Sequence, residues 1–434
     1  MISQLAFILL LILGTGWFVR NVRKIRKNIG LGRPVNRSDR KAARWKTMAR
    51  VALGQSKMVR RRAVAGIMHI LIYVGFVIIN LEVLEIVLDG VLGTHRLFGT
   101  LAPGLYAVLI ASFEYLAVGV ILACLVFLLR RNVLRLKRFS GIEMTAWPKS
   151  DANFILVAEI LLMAAFLTMN GADYVLQLMG TEGYIRAGAY PVSSHLMLLL
   201  PGSEAGLIQV ERFCWWFHIT GIFIFLNYIP YSKHFHIFLS FPNTWYAKLE
   251  PKGKFTNMNE VTQEVKAMLD PSFTPESATP PERFGARDVQ DLSWVNLMNA
   301  YACTECGRCT AVCPANLTGK LLSPRKIMMD TRDRLEEVGR NKNRHGADYD
   351  DGKSLFDYIS TEELWACTTC NACVEACPVL IDPLEIILEL RRSLVMEESK
   401  SPQGWSAMFN HIEHNAAPWQ FSPADRLNWA KTNT

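Results

Sequence analysis

The sequence predicts an all-α chain: a five-transmembrane-helix bundle followed by a cytoplasmic helical domain built around paired cysteines. Three observations carry this. Long apolar runs dominate the 434 residues up to about Lys248, and charged, proline-containing segments dominate after it. Strongly basic loops alternate with loops that hold few cations. Eight of the ten cysteines fall in two short runs near the C-terminal end. The hydrophobic share of 50% is near the globular average, so the distribution decides where the bulk number does not. A chain of this length has room for two or three domains. The expected division is a membrane domain at 1–247, a linker at 248–290, a cysteine domain at 291–398 and a C-terminal tail at 399–434.

Five segments approach the length a helix needs to cross the hydrocarbon core. They are Ile2–Val19, Val64–Leu88, Leu105–Leu129, Phe154–Thr168 and Phe213–Ile229, the fourth being the shortest. The first lacks a basic leader and a small-residue cleavage site, so a retained helix is expected rather than a secretory signal. The formal charge of +8 is concentrated in loops rather than spread as a nucleic-acid footprint. Sixteen Lys or Arg and a single acid, Asp39, lie between Arg20 and Arg62, and the Arg130–Lys149 loop adds Arg130, Arg131, Arg135, Lys137 and Arg138. The Asp89–Gly104 and Gly171–Glu211 loops hold Arg96 and Arg186 as their few cations. Basic loops stay on the cytoplasmic side, which puts the N-terminus outside and everything after Tyr231 in the cytoplasm, a multi-pass protein of the inner (cytoplasmic) membrane. The basic loop suits anionic lipid, and no nucleic-acid fold accompanies it.

Polar residues inside spans are costly and mark functional positions. His69 lies early in the second span, His218 near the outer end of the fifth, and His236 just beyond its inner end. If the fifth helix continued straight, the eighteen residues from His218 to His236 would be five turns, placing both on one face about 27 Å apart. His234 would point away from that face, although Pro230 can break the phase. His69 and His236 share one depth, the arrangement that ligates a b-type haem from two helices. A second haem at His218 would need His95 or His195 from the outer loops, because the position ten beyond His69 is Ile79. The intramembrane acids are Glu82 and Glu85 on the second span, Glu114 on the third and Glu159 on the fourth; Glu82, Glu85 and Glu114 are the candidates for the proton-accepting wall of a quinone site, and lipid-interface snorkelling is the competing reading for Glu85. Cys124 and Cys214 sit in apolar runs and read as packed thiols.

After the proline-punctuated stretch Lys248–Gln290 (Pro251, Pro271, Pro275, Pro280, Pro281) come two matched runs. The first is Cys303-Thr-Glu-Cys306-Gly-Arg-Cys309-Thr-Ala-Val-Cys313-Pro314, and the second Cys367-Thr-Thr-Cys370-Asn-Ala-Cys373-Val-Glu-Ala-Cys377-Pro378. Each is the C-x2-C-x2-C-x3-C-P spacing of bacterial ferredoxins, in which the fourth cysteine of each run ligates the other cluster. That assigns Cys303, Cys306, Cys309 and Cys377 to one [4Fe–4S] cluster and Cys367, Cys370, Cys373 and Cys313 to another. Two structural zinc sites would need only paired C-x2-C and no third cysteine or Cys-Pro. The long insert between the runs, with apolar residues at helical spacing in Leu321–Leu335 and Leu384–Met396, predicts a helical two-cluster ferredoxin domain rather than a compact βαβ one; Asn341–Asp351 reads as an exposed loop.

The first half, Ile2 to Gly253, resembles the five-helix gamma subunit of membrane nitrate reductases and its relatives in heterodisulfide reductase-like and electron-transfer-flavoprotein:quinone oxidoreductase-like complexes. His69, His218, His236 and the ending Tyr228-Ile-Pro-Tyr-Ser-Lys233-His-Phe-His236 carry the resemblance. It implies that His69 pairs with His236 at one haem, while Ile79 stands where the family places a ligand of the second. Ser293 to Pro378 is similar to the two-cluster domain of the same complexes. The segments Asn415-Ala-Ala-Pro418-Trp419 and Arg426-Leu-Asn-Trp429 resemble the sequence that precedes a cysteine-rich Cys-Cys-Gly domain in fused relatives, which implies a separate Cys-Cys-Gly subunit docked on Ser401–Thr434.

The expected function is a membrane-bound electron-transfer subunit of a quinone oxidoreductase complex, linking a membrane quinone pool through haem b and two [4Fe–4S] clusters to a cytoplasmic redox partner. Electron-transfer flavoprotein is the soluble donor that the resemblance suggests. The alternatives are a haem-free membrane-anchored ferredoxin or redox-coupled ion-translocating subunit, and a redox sensor, for which no output domain is visible. No dinucleotide fingerprint and no Walker loop occur, so hydride transfer and nucleotide hydrolysis are not expected of this chain.

Overall fold

The long apolar runs become helices because the bilayer leaves their backbone no other partner for its N–H and C=O groups. The structure, a computed structural model, describes residues 1–275 and 283–431; Pro280 and Pro281 of the expected linker lie outside the described residues. The membrane half comprises α1 (Ile2–Ile29), the short α2 (Lys41–Met48), α3 (Ala63–Leu92), the one-turn α4 (Leu97–Leu101), α5 (Pro103–Leu128), α6 (Trp147–Met179) and α7 (Glu204–Tyr228). Of these, α1, α3, α5, α6 and α7 are long and apolar enough to cross a membrane. They close a ring in which α1 packs on α3 and α7, α3 on α5, α5 on α6, and α6 on α7. Leu5, Leu9, Ile12 and Trp17 of α1 stay exposed on the outside of the ring, as lipid-facing residues should.

Two expectations need correction. The fourth span, shortest in the sequence, is the longest helix at 33 residues. Its polar residues Asp151, Asn170, Asp173 and Gln177 broke the apolar run, yet all four are buried and hydrogen-bonded inside the bundle. The fifth helix does not run on to His236. It stops at Tyr228, the chain turns through Ile229–Tyr231 and Lys233–Phe235, and a new helix, α8 (His236–Trp245), begins. Pro230 has no amide to extend the ladder, so the five-turn alignment of His218 with His236 fails.

The second half is also helical: α9 (Asn259–Leu269), α10 (Trp294–Ala302), α11 (Pro314–Leu317), α12 (Pro324–His345), α13 (Thr361–Trp365), α14 (Ala372–Ala376), α15 (Pro383–Arg392) and α16 (Gln403–Asn415). Among the described residues there is no strand, only an isolated parallel bridge between Arg33 and Ser293. The helix expected at Leu321–Leu335 starts at Pro324, capped by Ser323, and runs to His345, so the polar loop begins later than its sequence suggested. The one expected at Leu384–Met396 starts at Pro383 under an Asp382 cap and ends in a wider turn over Ser393–Glu397.

The two halves share a core. Ile25 of α1, Ile155 of α6, Phe225 of α7, Ile229 and Phe235 pack with Leu297, Tyr301, Ile327, Leu335 and Ile387 of the cysteine domain. Burial of each such side chain stabilises by about 1.5–3 kcal/mol. Around it, Asn28 donates to the Tyr301 hydroxyl at 3.0 Å, and Asn243 donates to the Val379 carbonyl at 2.7 Å. The chain after α1 approaches so closely that a Cβ on Gly32 would sit 2.7 Å from the Trp294 nitrogen. Only glycine fits there.

Candidate metal centres

Each cysteine run leaves a buried helix and turns twice. Cys303 follows α10, and the loop bends at Glu305 (φ +54°) and Gly307 (φ +69°). Cys367 follows α13, and the loop bends at Thr369 (φ +54°) and Asn371 (φ +59°), the corresponding positions. The runs thus repeat in conformation as well as in spacing. Such left-handed bends turn backbone N–H groups inward toward a common centre. The Thr369 amide donates to Cys367 Sγ at 3.4 Å and the Ile381 amide to Cys377 Sγ at 3.3 Å. In each run the last cysteine precedes a proline, and Pro314 opens α11 at no hydrogen-bond cost.

The fourth cysteines cross over. Cys303, Cys306, Cys309 and Cys377 line one solvent-open cavity of about 390 Å³. Cys313 lies close enough to Cys367 and Cys373 to oppose the ionisation of both. Burial pushes the thiols up, helped by the Glu305 carboxylate and Cys306 at Cys303, to about 12, and by Cys306 at Cys377, to about 11. Four thiolates in such surroundings need positive charge at their centre, which cluster iron supplies. Among the described residues no three His, Cys, Asp or Glu side chains converge on one metal ion.

Against this domain lies a group of histidines. His69, in the second turn of α3, and His236, at the start of α8, have ring centroids 6.3 Å apart and tilted by 46°. A metal bonded at about 2 Å to a nitrogen of each ring would separate the centroids by roughly 6 Å. His236 Nδ1 faces the Lys233 carbonyl at 3.1 Å, which leaves Nε2 outward, and His69 Nδ1 is buried without a partner. His234 does not point away: its ring is 5.5 Å from His236 and 5.4 Å from Phe225. His218 is fully buried, with Nδ1 on the Leu162 carbonyl at 2.9 Å and Nε2 unpartnered. Its ring neighbour is Phe166. His95, expected as a partner for His218, instead packs on Tyr184 at 4.8 Å.

The histidine loop is tied to the first cysteine run by ions that the sequence did not reveal. Lys233 pairs with Glu305, and Glu305 also accepts from Arg332 at 2.8 Å. Lys233 donates to the Pro148 carbonyl at 2.6 Å and lies 3.7 Å from Asp151, which accepts from the Tyr228 and Ser232 hydroxyls. Burial alone would raise the Glu305 carboxyl; Arg332 and Lys233 outweigh it and hold it below the ordinary value. Arg308 of the same run donates to the Lys57 and Met58 carbonyls just before α3. Nothing in single-sequence spacing pairs Lys233 with Glu305; only the fold brings them together.

Glu82, Glu85 and Glu114 meet at the other end of the bundle in one buried network centred on Arg96, whose side chain folds inward from its loop. Arg96 donates to Asp173 at 2.8 Å, Asn170 at 2.5 Å and the Tyr106 hydroxyl at 3.2 Å, and lies 3.5 Å from Glu82. Tyr106 donates to Glu85 at 2.7 Å, and Asn170 to Glu114 at 3.3 Å. Snorkelling to the interface is not what Glu85 does.

An all-helical chain with five membrane-length helices and a twinned cysteine domain is a membrane-associated iron–sulfur protein. Residues 302–381 match the 4Fe-4S dicluster domain family. The chain is a homologue of curated iron–sulfur oxidoreductases. It is 27% identical over 412 residues to the probable iron-sulfur-binding oxidoreductase FadF of Bacillus subtilis, covering 87% of this chain and 53% of that protein. It is 29% identical over 247 residues to the EtfAB:quinone oxidoreductase of Syntrophomonas wolfei, covering 52% of this chain and 32% of that protein. A probable membrane-anchored ferredoxin of Chromohalobacter salexigens is 33% identical over 162 residues, 34% of this chain and 24% of that protein. The chain thus spans about half the length of the Bacillus relative and less of the others. No solved structure matches.

Proposed function

We propose that this chain is a membrane-bound electron-transfer subunit linking a quinone pool to a cytoplasmic redox partner. The observation that carries the reading is the joint placement of the His69–His236 pair and the Cys303–Cys309 loop on one rigid junction through Lys233 and Glu305. Two [4Fe–4S] clusters, on Cys303, Cys306, Cys309 and Cys377 and on Cys367, Cys370, Cys373 and Cys313, and one haem b on His69 and His236 would supply one-electron chemistry there. The residues around them do the rest. Lys233 O fixes the His236 tautomer, Arg308 and Arg325 seat the cysteine loop, and the shared apolar core excludes water between them. The reading takes a single haem, since His218 has a carbonyl and a phenylalanine rather than a second histidine beside it. Glu82, Glu85 and Glu114, expected at a quinone site, lie at the end of the bundle away from His69 and His236, so no quinone role is proposed for them.

The basic loops 20–62 and 130–149 lie at the same end of the bundle as the cysteine domain, which supports placing that domain in the cytoplasm and the N-terminus outside. Cys370 is exposed, and Trp405 of α16 packs on Trp365 beside that run at 5.0 Å. Trp405, Phe409 and Ile412 form an exposed stripe at helical spacing on α16. A Cys-Cys-Gly redox subunit docking there, or electron-transfer flavoprotein in view of the Syntrophomonas relative's name, would meet the second run at its exposed cysteine. The test is the haem-to-protein ratio of the purified chain, with His69→Ala and His236→Ala alongside. A ratio near one that falls to zero in both variants is expected. Absence of haem from the wild type would overturn the reading and leave the membrane-anchored ferredoxin that the Chromohalobacter relative's name describes.

A further inference from the structure

The Arg96 network has more carboxyls than cations can balance. Glu82, Glu85, Asp89, Glu114 and Asp173 are each at most 7% exposed, and Arg96 is the guanidinium among them. Facing Glu82 are Glu85 on its own helix, Arg96 from the following loop and Glu114 from α5; Arg96 in turn holds Tyr106 from α5 and Asn170 and Asp173 from α6. An unpaired charge inside a membrane bundle costs several kcal/mol. Part of the cluster is therefore uncharged.

The hydrogen bonds say which part. Asp89 accepts from the Arg96 and Leu97 amides and the Thr94 hydroxyl. Glu114 accepts from the Val192 and Ser193 amides at 2.8 and 3.1 Å and from Asn170. Glu85 accepts from the Phe98 amide at 2.8 Å and from Tyr106. Asp173 accepts from Arg96, Gln177 and Tyr190. These four are built to accept, as carboxylates are. Glu82 is not: one oxygen lies 3.5 Å from Arg96, and the other, Oε2, is buried with no partner. The Ser193 hydroxyl, fully buried behind Glu114, also has no partner. The network then reaches the surface. Asp173 lies 3.8 Å from His95, whose side chain is 22% exposed and whose Nδ1 is unpartnered. His95 packs edge-on against Tyr184, which donates to Glu211 at the same end of the bundle.

We infer that the Arg96 network is a proton-binding site, with Glu82 the carboxyl that holds the exchangeable proton and Asp173 and His95 its route to the aqueous face away from the cysteine domain. Glu82 and Asp173 both lie against the Arg96 guanidinium, so the proton passes from Glu82 Oε2 by way of water to the Asp173 carboxylate, then to His95 and bulk water, and one from water replaces it; only O–H and N–H bonds form and break. Arg96 never gives up a proton and serves to hold the carboxyls together. Ser193 supplies a second unpartnered oxygen where a water molecule can bridge. A proton held at Glu82 does not depend on haem or quinone, so it stands apart from the electron route.

The experiment is infrared spectroscopy of the full chain in lipid nanodiscs, following the band of a protonated carboxyl group and its shift on transfer to heavy water. Wild type should show the band, Glu82→Gln should lose it, and Glu85→Gln should keep it. His95→Phe should keep the band but slow its exchange by roughly a hundredfold, the scale of losing one positioned proton-transfer group. A missing wild-type band, or one unchanged in Glu82→Gln, overturns the assignment. So does a band that appears only when sodium is withdrawn, since a metal cation would then occupy the site. Should Glu82→Gln not fold, exchange in His95→Phe decides: unchanged exchange refutes the route.

Discussion

Replacing Arg325 with methionine probes how the cysteine domain is seated on the bundle. Arg325 opens α12 and is 1% exposed. It donates to Glu143 through Nη2 at 2.7 Å and Nε at 3.1 Å, and to the Arg138 carbonyl through Nη1 at 2.6 Å. Its guanidinium also backs Gly307, so closely that a Cβ there would lie 2.6 Å from Nη1. Methionine fills similar volume and donates nothing. Glu143 would keep only the Ser323 hydroxyl at 2.7 Å. Removing one partner of a buried pair costs about 3–5 kcal/mol. Glu143 lies in a loop that can open to water, which brings the expected loss to about 2–4 kcal/mol. The assay is loss of cluster absorbance in urea for the full chain in detergent, with limited proteolysis of the 134–146 loop beside it. Adding Glu143→Gln to Arg325→Met should recover about 1–3 kcal/mol, because no buried charge is then stranded. Acid gives an independent check. Burial would raise the Glu143 carboxyl, but Arg325 and Ser323 outweigh it and hold it below 4.5. A depressed folded value means stability that is present above 4.5 and lost as pH falls through that lower value. Arg325→Met should flatten this step. A midpoint within about 0.5 kcal/mol of wild type, with the acid step intact, would refute the reasoning.

Burial pushes Asp330 up to about 6 from the ordinary 3.8, outweighing its 2.7 Å ion pair with Lys326. A raised folded value contributes stability that is full below 3.8 and lost as pH rises through about 6; Asp330→Asn should therefore gain about 1–3 kcal/mol at pH 8 and much less at pH 5, read from urea midpoints, and an equal effect at both would count against it. Deleting the chain from Ser401 removes α16, which has no buried residue, so iron content should stay unchanged while the soluble partner no longer co-purifies; an intact complex with the shortened chain would disprove docking on the tail.

The dicluster domain was legible because its cysteine spacing is local. Two identical spacings fix loops whose bends recur at Glu305 and Thr369 and at Gly307 and Asn371, and only the crossing of Cys313 and Cys377 needed the fold to display it. The five membrane helices were legible from apolar length, but their ends were not. Asp151 and Asp173 lie within α6, stabilised by Tyr228, Ser232 and Arg96, partners distant in sequence. Arg96 looked like a sparse outer-loop cation and is the buried centre of the carboxyl cluster for the same reason. Periodicity misplaced His234 because it assumed a straight helix through Pro230.

The junction brings histidines and cysteines that are far apart in sequence onto one interface. Just after α1 the Arg33 amide donates to the Leu292 carbonyl and the Arg33 carbonyl accepts from the Trp294 amide, Lys233 joins Glu305, Arg308 holds the loop before α3, and Arg325 holds the loop before α6. Four of the five spanning helices, α1, α3, α6 and α7, thus end on or beside the cysteine domain, through side chains or through the core residues Ile25, Ile155 and Phe225. A soluble ferredoxin tethered by a flexible linker would need none of these contacts, and its distance from the bundle would fluctuate with the linker. Here the Cys303 loop and the His234–His236 turn have a common ion pair and a common core, so neither can move without the other. Electron transfer falls steeply with separation, so if the histidines held the proposed haem, fixing them in this way would keep what a tether would lose to averaging. The ions that create that rigidity are buried, and removing one of them strands its partner, so the junction should fail as a unit rather than loosen by degrees.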